Sequence, residues 1–64
     1  MSKTVQEIFD SIPESERFSL YVIVGYMVEY GVYDFREWDR LIKKLNKEQI
    51  ALCRIIVESA RNGA

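Results

Sequence analysis

FSLYVIVGYMV, Phe18–Val28, runs eleven residues without a formal charge near the middle of a 64-residue chain. Read as an α-helix, it places Leu20, Ile23, Val24 and Met27 in one apolar stripe at i, i+3, i+4 and i+7. Phe18, Tyr21, Val22 and Val28 then cover much of the other side, with Gly25 beside them. A helix at a protein surface normally carries one apolar stripe and one polar face. This one has more apolar surface than so short a chain readily hides. Its length at about 1.5 Å per residue is roughly 16 Å, about half a hydrocarbon core of roughly 30 Å, so no membrane span is expected. Tyr, Val and Ile also favour strands, but no second strand-like run exists to pair with it, which leaves the helix.

Gly25 costs a helix interior about 1 kcal/mol relative to alanine. Two readings account for it. Another helix of the same chain packs closely there, or the helix crosses a second chain at that point.

The flanking segments supply helix boundaries. Thr4 and Glu7 have the spacing of a capping box, and Val5, Ile8, Phe9 and Ile12 form an apolar stripe, so a first helix is expected over residues 5–11. Pro13 ends it and opens a second over 14–30, with Glu14 and Glu16 in a first turn that favours anions. Gly31 follows as a left-handed C-terminal cap. Asp34 with Glu37, and Tyr33 with Trp38, have capping-box and hydrophobic-staple spacings. They begin a third helix over 35–45, with Phe35, Trp38, Leu41, Ile42 and Leu45 inward. Asn46 caps a fourth over 47–61, with Gln49 at its third position and Leu45 and Ile50 as a further staple. On that helix Ile50, Ala51, Cys53, Ile56, Val57 and Ala60 read as the buried side, opposite Lys47, Arg54, Glu58 and Arg61.

The two halves echo each other at an offset of 33: Val5, Ile8, Phe9 and Ile12 fall on Trp38, Leu41, Ile42 and Leu45, and Pro13 falls on Asn46. Val22, Ile23, Val24 and Met27 fall on Ile55, Ile56, Val57 and Ala60; the competing account is that any four-helix chain of this size scans this way. The expected fold is therefore all-α: a single helical domain over 1–64, with four short helices forming two helical hairpins in a compact, dimeric bundle.

Composition narrows the function. A chain of this length buries only about 60% of its unfolded surface and needs good packing or oligomerisation. It has one cysteine and no histidine, so an intramolecular disulfide, a zinc site and His-dependent nucleophilic catalysis are all excluded. The three glycines are isolated and form no phosphate loop. Glu14 and Glu16 read as helix-start anions, and Cys53 as a small core residue. No catalytic residue, metal ligand or cofactor is expected, and the chain is not expected to be an enzyme. With no basic-then-apolar leader and one unpaired thiol, a cytoplasmic setting is expected.

Net charge is −1, split as −3 over residues 1–32 and +2 over residues 33–64. Arg36, Arg40, Lys43, Lys44 and Lys47 cluster along the third helix and its following turn. They are candidate phosphate contacts if the third and fourth helices act as a helix-turn-helix. A solvated face partly neutralised by Glu37 and Asp39 is the competing account. Tyr21, Tyr26, Tyr30, Tyr33, Phe35 and Trp38 gather around the corner between the second and third helices. The candidate protein interface is Phe18, Tyr21, Val22, Gly25, Tyr26, Tyr30 and Tyr33. Its partner is a second copy of the chain or another protein.

The segment TVQEIFDSIPESERFSLYVIVGYMVEYG, Thr4–Gly31, resembles a helix-pair segment of tailed-bacteriophage head-assembly proteins of the scaffold and prohead-protease type. The matching features are the T-V-x-E-aliphatic-F-D-S start, the acidic turn, and the aliphatic helix with Tyr21 and Gly25. The chain departs from the pattern at Pro13 and throughout 32–64. The resemblance implies a small phage or prophage protein that acts by association, and it brings no catalytic residue.

Overall fold

The computed structural model describes residues 3–63. Among the described residues there are four helices: α1 (Val5–Ser11), α2 (Glu14–Tyr30), α3 (Phe35–Ile42) and α4 (Lys47–Gly63). Local chemistry sets most of their ends. At α1 the Thr4 side chain accepts from the Glu7 backbone N–H at 3.1 Å, and Glu7 Oε1 reaches back to the Thr4 N–H. At α4, Asn46 and Gln49 make the same reciprocal pair, both bonds at 2.9 Å. At α3, Asp34 accepts from the N–H groups of Arg36 and Glu37, but the Glu37 carboxylate turns to Arg40 at 3.2 Å, so only half of the expected box forms. The Tyr33–Trp38 staple is present, with ring centroids 6.1 Å apart.

Two ends differ from expectation. α3 stops at Ile42 and not at 45: the N–H groups of Lys44 and Leu45 bond to the carbonyls of Leu41 and Ile42, a tightened turn that frees Asn46 to cap the next helix. α4 continues past 61 to Gly63. Its glycine needs no left-handed turn, and helix ends are soft by a residue or two. Gly31, by contrast, sits at φ +65° and closes α2 through its N–H to the Met27 carbonyl at 3.0 Å. An L side chain there costs about 1–2 kcal/mol. Gly31→Ala is thus expected to lower the urea midpoint by that amount of stability with unchanged helix content.

The core is a cluster of Ile12, Leu20, Ile23, Met27, Trp38, Leu41, Cys53 and Val57, with Phe9, Val24, Ile42, Leu45, Ile50 and Ile56 packed against it. The inner stripe of α2 is the one read from the sequence. On α4 the burial differs: Leu52 and Gln49 are buried, whereas Ala51 is exposed. Val5 and Phe35, placed inward by periodicity, are both exposed, each at the first position of its helix.

The hairpin pairing also differs. The principal packed pairs are α2 with α4, α1 with α4, and α2 with α3. Neither α1 with α2 nor α3 with α4 is among them. Each short helix packs on the long helix of the other half, so the halves interlock. Exchanging the halves maps these three pairs onto themselves. The offset of 33 also relates individual contacts. Gln49, buried at the start of α4, donates from Nε2 to the Ser11 carbonyl at 3.2 Å and to Ser11 Oγ at 3.0 Å. Glu16, buried at the start of α2, pairs with Lys44 at 3.6 Å. Ser11 and Lys44, and Glu16 and Gln49, are each 33 apart. Leu20 and Cys53, also 33 apart, are both 0% exposed. The echo in the sequence is therefore an echo in space.

The molecule is thin, 38 × 23 × 16 Å. Packed helix axes lie about 8–10 Å apart, so the short dimension holds no more than two layers of helix. A helix in such a slab can be covered on one side only.

Candidate protein-interaction face

That geometry leaves the outer side of α2 bare. The inner residues Glu16, Leu20, Ile23 and Met27 are buried. On the opposite side lie Glu14, Phe18, Tyr21, Gly25 and Val28, at alternating steps of four and three residues. This is the spacing of a helix–helix seam. Phe18 is 67% exposed, Tyr21 57% and Val28 54%. Gly25 sits in the middle of the seam. A Cβ built there meets nothing within 4 Å. Close packing within the chain therefore does not account for Gly25, which corrects the first of its two readings.

At the N-terminal end of the seam, Glu14, Arg17, Phe18 and Tyr21 frame a shallow hollow of about 260 Å³. The Arg17 guanidinium stands 5.7 Å over the Phe9 ring, and its Nε is shielded from solvent without a hydrogen-bond partner among the described residues.

The other candidate interface residues separate into groups. Val22 is half-buried and flanks the seam. Tyr26 and Tyr30 are exposed but lie on another side of α2, ring against ring at 5.5 Å. Tyr33 is half-buried. It is held edge-on against Phe35 at 4.7 Å and against Trp38. Burial pushes its phenol above the usual tyrosine range, opposed by the Arg54 guanidinium and reinforced by Asp39 and Glu58. Val28, which the helical wheel already places on the outer side, joins the candidate residues Phe18, Tyr21 and Gly25 in the seam.

The basic cluster does not present five free cations. Arg40 is paired with Glu37 and Lys44 with Glu16. Arg36, Lys43 and Lys47 are exposed. Cys53 is fully buried, and burial raises its thiol pKa, which makes it an unreactive core residue. Among the described residues there is no group of His, Cys, Asp or Glu able to hold a metal ion, and no helix is long and apolar enough to cross a membrane. Comparisons with protein-family models, curated proteins and solved structures return no match.

Proposed function

We propose that the chain is a non-catalytic protein-interaction module that pairs with a second copy of itself through the outer face of α2. The observation that carries this reading is the exposed seam Phe18–Tyr21–Gly25–Val28, free of charge and open at its glycine. An isologous interface needs a surface complementary to itself, in which residue i meets j and j meets i. Tyr21 and Gly25 stand one turn apart, a bulky ring beside a bare backbone. In an antiparallel two-fold pair each ring lies over the other chain's glycine. Glu14 stands at the end of the seam, outside the uncharged run from Phe18 to Val28.

Aromatic side chains bring about 150–250 Å² each, so the face offers on the order of 400 Å² of apolar surface per chain, the size at which exposed patches mark interaction sites. That is below an obligate interface, and the pairing is accordingly a reversible one. The likeness of Thr4–Gly31 to phage head-assembly helix pairs fits a phage or prophage protein that works by association. The rival nucleic-acid reading is less well supported, because Arg40 and Lys44 are already engaged within the chain.

Light scattering on a sizing column across a concentration series tests the proposal. The wild-type mass is expected to rise from 7.5 kDa towards twice that value, and Tyr21→Glu to remain monomeric with its helical signal intact. Gly25→Ala is expected to stabilise the isolated helix by about 1 kcal/mol while weakening the pair. A wild-type mass that never leaves the monomer value, or a Tyr21→Glu protein that associates like wild type, overturns the reading.

A further inference from the structure

A second concavity lies away from the seam, where the C-terminal end of α2, the connector into α3, and α4 come together. Its volume is about 440 Å³, within the range of small-molecule sites. Met27, Trp38 and Val57 form an apolar floor, and Tyr33 and Phe35 form one wall. The opposite rim is Arg54, Glu58 and Arg61, successive turns of α4. Among the described residues none of these three is in an ion pair, so both guanidiniums keep their donors free. The lining charge is one positive unit; Asp39 acts on Tyr33 but is not among the lining residues.

We propose that this cleft binds a small carboxylate with an apolar body, of the medium-chain acyl or aryl class. The body lies against Trp38, Met27 and Val57, and the carboxylate is received by Arg54 and Arg61. Guanidinium is the side chain best shaped for a carboxylate, through paired N–H donors. The Tyr33 phenol stays protonated at neutral pH and supplies a further donor from the wall. None of the lining residues belongs to the outer seam of α2, so the site is independent of the self-association proposed above.

Trp38 is the chain's single tryptophan and lies in the floor, which makes its emission a direct reporter. Sodium octanoate is the probe, with octylamine and 1-octanol as matched controls. Octanoate is expected to produce a saturable change in Trp38 emission, with the amine and the alcohol at least tenfold weaker. Arg54→Gln/Arg61→Gln is expected to raise the octanoate dissociation constant at least tenfold. Both side chains are exposed, so the thermal midpoint should stay put. Glu58→Gln is expected to tighten binding two- to threefold by removing the opposing carboxylate. Amide-shift mapping on the same samples should place the changes at Tyr33, Arg54 and Val57. Light scattering in parallel separates ligand binding from any change in association. Absence of saturable change in both emission and amide shifts overturns the assignment. So does binding of the amine as tightly as octanoate, or indifference to the double arginine substitution.

Discussion

Leu20→Ala is expected to leave most of the protein unfolded at room temperature. Leu20 has no exposed surface and sits among Ile12, Ile23, Trp38 and Cys53 in the core cluster. Truncating a fully buried leucine costs about 2–5 kcal/mol, the upper part of that range applying where neighbours cannot collapse into the cavity. A core in a chain this small supplies about 3–5 kcal/mol in all. The loss and the whole are therefore the same size. The measurement is the far-ultraviolet circular dichroism signal with a urea titration. Wild type should show a native baseline and a cooperative transition, and Leu20→Ala little of either. Leu20→Met, which nearly conserves volume, should cost less than about 1.5 kcal/mol. If association through α2 contributes stability, raising the protein concentration should partly restore Leu20→Ala by mass action. A variant as stable as wild type would mean that the core is not where the structure puts it.

The second large effect is expected at Gln49, where one buried side chain does two jobs. Its Oε1 caps the Asn46 N–H, and its Nε2 ties α4 to the end of α1 through Ser11. Gln49→Glu keeps the capping oxygen and loses the donor, leaving a carboxylate facing a carbonyl oxygen. A buried polar group stranded in this way costs about 1–3 kcal/mol, more when charged. The other half shows the remedy, since Glu16 occupies the equivalent place opposite Lys44. Ser11→Lys in the Gln49→Glu background should therefore recover a substantial part of the loss. Ser11→Lys alone should be neutral or harmful. A double-mutant cycle measured by urea denaturation gives the coupling, and a coupling near zero would mean that the two halves do not share this contact.

Much of the architecture could be read from local signals. The bounds of α1 and α2 follow from Thr4 with Glu7, from Pro13, and from Gly31, because each acts on backbone groups within a turn of itself. The choice of partner helix was not legible. Periodicity says which face of α1 is apolar, but the same stripe of Ile8, Phe9 and Ile12 would serve against α2 as well as against α4. The Gln49–Ser11 link joins positions 38 apart and has no local signature. On α4 apolar residues occupy much of the circumference, so a helical wheel offered no unique inner side; Ala51 and Leu52 were resolved only by the packing. The seam on α2 was half visible. The surplus of apolar surface was plain, but the separation of Phe18 and Tyr21 from Tyr26 and Tyr30 requires knowing which side the core occupies. Arg54 and Arg61 carry no sequence signal as a rim, because their significance comes from α2 and α3 approaching them.

The interlocked halves also bear on how the protein is made. A bundle of sequential hairpins can begin to fold while its C-terminal part is still being synthesised. Here α1 waits for α4, and the inner face of α2 waits for Cys53 and Val57. Contacts between distant segments slow folding because the chain must close long loops before they reward it. Until residue 57 has left the ribosome, the inner face of Phe18–Val28 has only the part of its cover that α3 supplies. The most apolar segment of the chain is thus made well before the last of its cover.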